Sequence, residues 1–373
     1  MNIAVNTRLL IKNRLEGIGT YTFETLARIT KMLPNYNFYF IFDRGYPDEF
    51  IFEKNIIPIV LRPSARHPIL WFIWFEILLP KVLKKIKADL FLSPEGMMPH
   101  KLKIPSITVI HDINFEYFPG DTKFLHSIYY RFFFKKYAHN SSKIITVSNF
   151  SKKDIISKYN INKDKISYAY NGINKIYKPL KSSIKTKKKY SDNEDYFLFV
   201  GSINPRKNLN NLILAFNLFK NSSNCNTKLI IVGRIMYWDS KINKSYKSSK
   251  YKDDIIFLGE KNNFELVNIY SSALAFCFLS YFEGFGIPII EAMKCGCPVI
   301  ASNQTVIPEI TQKAAVLVNP FNLKEISNQM MKIKKDINHR KFLSQMGIEQ
   351  SKKYNWDDPS KLIVSKILEL LKC

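Results

Sequence analysis

No stretch of this sequence is apolar enough for long enough to cross a bilayer. The most hydrophobic run, Ile69 to Leu79 (ILWFIWFEILL), is interrupted by Glu76 and stopped by Pro80, well short of the ~20 residues that a spanning helix needs. The start, Met1-Asn-Ile-Ala-Val5, enters a strand pattern directly, with neither a basic nor an apolar leader, so export by a cleavable signal is not expected. Cysteine is scarce. Cys225, Cys277, Cys295, Cys297 and Cys373 are odd in number, and Cys295-Gly-Cys297 is too tight for a C-x-x-C site and has no histidine nearby. This argues against a thiolate metal site, and the expected setting is the reducing cytoplasm. Glycine (13) and proline (17) are too few for a fibrous or low-complexity chain, and 46% hydrophobic against 23% charged residues suits a chain that folds throughout.

Acidic residues are outnumbered, 31 Asp and Glu against 56 Lys and Arg, for a net charge of +25. That excess invites a nucleic acid or an anionic membrane as partner. Two features argue against base readout. The charge is evenly spread, with 27 basic and 14 acidic residues over 1–178 and 29 and 17 over the rest. Only ten of the basic residues are arginine, the side chain that reads base edges bidentately. No nucleic acid is expected as partner. A phosphate-rich ligand, an anionic bilayer surface and a merely solvated lysine-rich exterior all stand as readings of the lysine field.

At 373 residues the chain is long enough for two domains of about 150 residues or more. Short β-branched and aromatic runs alternate with longer amphipathic stretches, the mark of βα units and parallel sheets. One series has strand patterns at 3–5, 38–42, 89–92, 106–110, 143–147 and 166–170, with helical patterns after Thr20 and around 70–86, 123–138 and 151–159. A second begins at 196–200 and continues through 228–232, 255–258, 274–279, 298–301 and 315–318. Between them, 179–195 is polar, lysine-rich and without apolar periodicity, which predicts an exposed linker. The expected fold is therefore α/β, with one Rossmann-like, doubly wound domain over 1–178 and another over 196–358. A closing amphipathic helix within 359–373 is free to pack against either. Ligands in such folds lie outside the carboxyl ends of the strands.

The loops leaving the strands therefore carry the chemistry. Glu16-Gly-Ile-Gly-Thr-Tyr21 precedes a helical pattern. Gly17 and Gly19 there would let amides approach an anion, or would simply make a tight turn. His111-Asp112 ends the 106–110 strand, where the imidazole would donate to a substrate group or make a structural bond to backbone. Ser151-x-x-Asp154 matches a capping box and has no catalytic role. After the 196–200 strand, Arg206 and Lys207 precede Asn208, a candidate N-cap. Adjacent cations there suit a diphosphate, although surface Arg-Lys pairs are common. The strongest constellation is Glu283-Gly-Phe-Gly-Ile-Pro-Ile-Ile-Glu291. It turns through two glycines into a helix near Pro288, placing Glu291 to accept ribose hydroxyls and Glu283 to face a sugar or phosphate. Two unrelated surface glutamates are the alternative.

On these residues, with VSNFSK at 147–152, YNGIN at 170–174, PEI at 308–310 and AAVLVNP at 314–320, nearly the whole chain resembles the glycosyltransferases of family 4, also called group 1 glycosyl transferases. The resemblance implies the GT-B fold, two Rossmann-like domains facing each other across a cleft, the first on the acceptor side and the second on the donor side. It implies that Arg206 and Lys207 bind the donor diphosphate and that Glu291 holds the ribose. Glu283 and the amides of Phe285 and Gly286 would contact the donor sugar, His111 would lie by the transferred hexose, and Gly17 and Gly19 would flank the phosphates and the acceptor. Many members carry Gly-Arg where this chain has Gly201-Ser202, so one phosphate-binding cation is absent there, and Arg206 is placed to compensate.

The implied reaction is hexosyl transfer with retention through an oxocarbenium-like transition state, without metal and without a cofactor beyond the nucleotide sugar. The resemblance to O-antigen and capsule enzymes implies GDP-mannose as first donor, with a UDP-sugar as the other choice. The acceptor would be a glycan or a polyprenyl-diphosphate-linked oligosaccharide at the inner face of the cell membrane. The stretches Trp71–Lys87 and Phe124–Lys136 would meet that surface, or their apolar sides are domain core. A nucleotide-sugar epimerase of the same architecture and a non-enzymatic basic module binding membrane or RNA are the competing functions.

Overall fold

The computed structural model describes residues 1–12, 15–180 and 184–372. The chain forms two compact units, Met1–Gly172 with Asn355–Cys373, and Ile173–Tyr354. The first unit has a seven-stranded sheet of β1 (Asn2–Asn6), β2 (Asn37–Phe42), β3 (Ile56–Val60), β4 (Leu90–Ser93), β5 (Ser106–Val109), β6 (Lys143–Thr146) and β7 (Ile166–Tyr168), in the order β3-β2-β1-β4-β5-β6-β7. The second has six strands, β8 (Tyr196–Val200), β9 (Lys228–Val232), β10 (Ile255–Gly259), β11 (Ala275–Phe278), β12 (Val299–Ser302) and β13 (Val316–Val318), in the order β10-β9-β8-β11-β12-β13. Every pairing is parallel. Central strands such as β4, β5, β8 and β11 are buried along their whole length. Helices cover both faces of such sheets, which is why these strands read as continuous apolar runs rather than alternating ones.

Four features of the fold depart from the sequence expectations. β3 was not anticipated because Pro58 sits in its middle. It is an edge strand, the position where a missing N–H is tolerated. Within the expected linker, Ile184–Ser191 is a helix of the second unit, packed against β9, β10 and the Asn263–Ser272 helix. Polar contacts hold it: Lys187 and Lys334 share Asp195 at 2.7 and 2.6 Å, and the Tyr190 hydroxyl donates to Glu265. Such a helix leaves no apolar period in the sequence; residues 181–183 of that stretch lie outside the described residues. The expected boundary is displaced too, because the chain passes between units after Gly172 and again after Tyr354.

The closing helix, Asp357–Leu371, packs in the first unit against the Gly17–Met32 helix and β5. Arg28 pairs with Asp357 at 2.9 Å and Lys143 with Glu369 at 2.5 Å. Gly172 lies against the backbone of Asn355 and Trp356, where an added Cβ would meet the Trp356 nitrogen at 2.3 Å. The predicted helix over 70–86 is instead three consecutive pieces, Pro68–Phe72, a π-helical Ile73–Leu78 and Leu79–Lys85. Pro80 has no N–H to return to the carbonyl of Glu76, and the wider turn takes up that break.

Candidate active site

In the second sheet the chain runs outward from β8 to β10 and then returns to β11 on the other side of β8. The strand order therefore reverses between β8 and β11, and a doubly wound sheet offers its ligand crevice at that point. The loops leaving these two strands bring Arg206, Lys207 and Glu283 together. Lys207 Nζ donates to Glu283 Oε1 at 2.7 Å, Arg206 lies 2.6 Å from Oε2, and Arg206 also donates to the Phe282 carbonyl at 2.7 Å. The Lys207 ammonium stands 4.6 Å over the Phe278 ring. Burial works to raise the Glu283 carboxyl, but Arg206 and Lys207 outweigh it and bring the pKa down to about 2. Two cations against this one carboxylate leave the trio one positive charge in excess, a suitable ground for an anion. The loops leaving β8 and β9 pass close to each other at Gly201 and Gly233: a Cβ on Gly233 would meet the Gly201 carbonyl oxygen at 2.0 Å.

Gly286, at φ +100°, is the N-cap of the Ile287–Lys294 helix, with Pro288 in its first turn. Phe285 is buried and meets the Tyr354 ring edge-on at 5.7 Å, which anchors the turn. Glu291 projects from that helix toward two hydroxyls the sequence did not flag, Tyr177 and Tyr270, the latter 3.4 Å from Oε2. Burial raises its carboxyl to about 7, against the lowering effect of both tyrosines. Thr305 was also missed. This β-branched residue is held at φ +54°, a strained conformation, while its Oγ1 accepts the Glu283 N–H at 3.2 Å. Only the folded chain shows these neighbours. Asn208 occupies the N-cap position of the Leu209–Ser223 helix but does not cap it. Its amide instead donates to the carbonyls of Leu279 and Pro320 at 3.2 and 2.8 Å, tying the loops after β11 and β13 to the cation loop.

The first unit repeats the plan at its own reversal point, between β1 and β4. There the buried Arg8 forks onto Glu95 at 3.0 and 2.5 Å, and Asn6 donates to the same carboxylate at 2.6 Å. Sequence spacing offered no signal for this pair. His111 follows β5, and its Nε2 lies 2.8 Å from the Pro94 carbonyl. A carbonyl only accepts, so the ring's proton sits on Nε2. Burial lowers the pKa of His111 and keeps it neutral, which leaves Nδ1 as an acceptor rather than the expected donor. Tyr21 of the Gly17–Met32 helix meets the imidazole edge-on at 4.9 Å. Gly17 and Gly19 form that helix's first turn, and a Cβ at Gly19 would approach the Leu9 carbonyl at 2.9 Å. The expected capping box is corrected. The helix begins at Asn149, and Ser148 caps it by accepting the Ser151 N–H at 3.0 Å. Ser151 is thus inside the first turn, bonded to the His111 carbonyl.

Among the described residues there are four free thiols, no group of three His, Cys, Asp or Glu placed to hold a metal ion, and no helix long and apolar enough to cross a membrane. Cys373 lies outside the described residues.

Comparison with known proteins accounts for this plan. The family model for glycosyl transferases group 1 matches residues 181–350, and that for glycosyltransferase family 4 matches residues 16–175. The chain belongs to this glycosyltransferase family. It is 34% identical over 267 residues to the O-antigen chain mannosyltransferase RfbU of Salmonella typhimurium, covering 71% of each chain. It is 27% identical over 372 residues to O-antigen chain mannosyltransferase B of Escherichia coli, covering 93% of this chain and 94% of that one. Two solved structures share the fold at 16% identity while covering 98% of this chain and 99% of theirs. They are WaaG, a glycosyltransferase involved in lipopolysaccharide biosynthesis (TM-score 0.76), and Anabaena HepE in complex with UDP and glucose (TM-score 0.75).

Proposed function

We propose that this glycosyltransferase moves a hexose, mannose from GDP-mannose in the first instance, onto a glycan or polyprenyl-diphosphate-linked oligosaccharide of a bacterial surface polysaccharide, with retention of anomeric configuration. The observation that carries this is the cluster of buried Lys207 and Glu283 with half-buried Arg206 at the reversal of the second sheet. Its excess positive charge meets a diphosphate leaving group where negative charge develops, which supports transfer without a divalent metal. In this reading Lys207 and Arg206 hold the diphosphate. Glu291, oriented by Tyr177 and Tyr270, accepts the ribose hydroxyls, and Glu283 with the Phe285 and Gly286 amides faces the sugar. His111 accepts a hydroxyl of the transferred hexose, and Gly17 and Gly19 flank the phosphates. The mannosyl choice is supported by the names of the two O-antigen relatives.

The test is a thermal-shift panel in EDTA with GDP-mannose, UDP-glucose, UDP-N-acetylglucosamine and ADP-glucose on wild type and Glu291→Ala, because a ligand that binds the native state raises the melting temperature. A rise with GDP-mannose that the variant loses is expected. A rise confined to a UDP-sugar would rename the donor, and no rise with any donor would sink the site assignment.

A pH dependence arises from the same carboxyl. Ribose hydroxyls donate, so binding selects ionised Glu291, whose pKa of about 7 in the free protein makes the competent fraction climb about tenfold between roughly pH 6 and pH 8. Donor affinity should rise over that window, and Glu291→Gln should flatten the profile. Without donor the sign reverses: the folded protein holds this proton more tightly than the unfolded chain, so Glu291's contribution to stability declines as pH rises from 4.5 to about 7.

A further inference from the structure

Three neighbouring strands of the first sheet, β1, β4 and β5, lead into Arg8, Glu95 and His111. The proposed chemistry engages only the last. Arg8 and Glu95 are both buried, and a buried ion pair adds little to stability, because desolvation cancels most of its attraction. Its position says more. Glu95 lies in the turn Ser93-Pro94-Glu95-Gly96-Met97 that leaves β4, and this turn is braced at several points. Arg8 forks onto the Glu95 carboxylate at 3.0 and 2.5 Å, and Asn6 donates to the same group at 2.6 Å and to Ser93 Oγ at 3.1 Å. Ser93 Oγ in turn donates to the Met97 carbonyl at 2.6 Å, closing the turn on itself. Arg8 is fixed from behind, with Nη1 on the Ala65 carbonyl at 2.7 Å. Gly96 takes φ +82°, and a Cβ there would meet the Phe134 ring at 3.1 Å, so the turn also lies close against the core. The carbonyl next to Glu95 in the chain, that of Pro94, is the one that takes the Nε2 proton of His111 at 2.8 Å. Burial keeps this ring neutral. The hydrogen bond made by one ring nitrogen then decides the role of the other, and here that bond is made to a carbonyl whose place an ion pair fixes.

We propose that Arg8 and Glu95 are positioning residues for the transfer reaction: by fixing the Pro94 carbonyl they hold His111 as its Nε2–H tautomer, so that Nδ1 accepts a hydroxyl of the donor hexose. This rests on the reading of His111 as a sugar contact and deepens it.

Glu95→Gln tests it. Glutamine keeps the size of the side chain, but in either orientation its NH2 faces an N–H donor of Arg8 or Asn6, which pushes the turn off the fork. Asn6→Ala is the milder second variant, removing one brace while the Arg8–Glu95 pair remains. The full chain, labelled with 15N in its histidine rings, is examined by two-bond 1H–15N spectroscopy, the His111 signals being those absent from His111→Ala. Wild type should show a protonated Nε2 and an unprotonated Nδ1. Glu95→Gln should show a mixture of tautomers, and Asn6→Ala a smaller shift in the same direction, with urea unfolding run alongside to confirm that each variant is folded. Hydrolysis of GDP-mannose, with water in the acceptor's place, should fall about tenfold in kcat for Glu95→Gln with KM near wild type. On a His111→Ala background the same change should cost less than about twofold, because residues acting through one group are not additive. The proposal is overturned if both variants, folded, keep the wild-type tautomer, or if Glu95→Gln costs the same factor with and without the imidazole, which would make the pair a general support of the fold. Unchanged hydrolysis by His111→Ala would instead remove the sugar contact itself. That failure is told apart because it leaves intact the tautomer of wild type and its loss in Glu95→Gln.

Discussion

Replacing Lys207 with methionine is expected to lower kcat/KM for transfer at least about tenfold, or about 1.4 kcal/mol of transition-state stabilisation. The ammonium is buried, stands over Phe278 and is fixed by Glu283 at 2.7 Å, so in the proposed role it would meet a departing diphosphate without having to be ordered first. Methionine keeps the apolar stem and leaves Glu283 paired with Arg206, so the fold should survive while the charge is lost. Steady-state kinetics with the donor named by the thermal-shift panel measures the effect, and turnover near wild type would remove Lys207 from the leaving-group role. Glu291→Ala is expected to cost a comparable factor, through donor KM first, because in the proposed reading its carboxylate would bind a part of the donor remote from the broken bond.

The second large effect is on stability. Glu283→Gln removes the carboxylate that Arg206 and Lys207 share and leaves the buried Lys207 facing the half-buried Arg206, which should destabilise the second unit by about 3 kcal/mol. Urea unfolding followed by a probe in that unit should show the midpoint fall. The pH sign is opposite to that of Glu291. A carboxyl held at about 2 instead of 4.5 contributes stability above 4.5 that is lost as pH falls toward 2. The wild type should therefore lose stability over that acid window, and the variant should lose less. An unchanged midpoint in the variant would mean that the cluster is held by its loops rather than by its charge.

Both predictions rest on groups that differ in how legible they were. The glutamates at 283 and 291 are visible in the sequence because the pattern is local: two glycines turn the chain, a proline starts a helix, and the second carboxylate rides in its first turns. Lys207 is visible for a similar reason, lying one short loop beyond a strand. Their partners were hidden. Tyr270 lies 21 residues from Glu291, in a different helix, and Arg8 lies 87 residues from Glu95. The helix at Ile184–Ser191 and the strand at Ile56–Val60 were hidden by polar stabilisation and by an internal proline, neither of which leaves a hydrophobic period. His111 stands at the end of β5, where the strand pattern puts it, but its direction of hydrogen bonding depended on the Pro94 carbonyl, which comes from the loop after a neighbouring strand.

The sequence by itself determined the class of fold, through β-branched runs alternating with helical stretches, and the two-unit plan, through the restart of that pattern after the lysine-rich stretch, and it set Lys207 and Glu283 just beyond strands, in short motifs whose members are neighbours in the chain. Tertiary structure alone decided which charges meet and which tyrosines orient Glu291. The reason is physical. Local periodicity reports whether a segment is buried and on which side, whereas the order of strands in a parallel sheet is set by crossovers, and the crossovers choose which loops become neighbours.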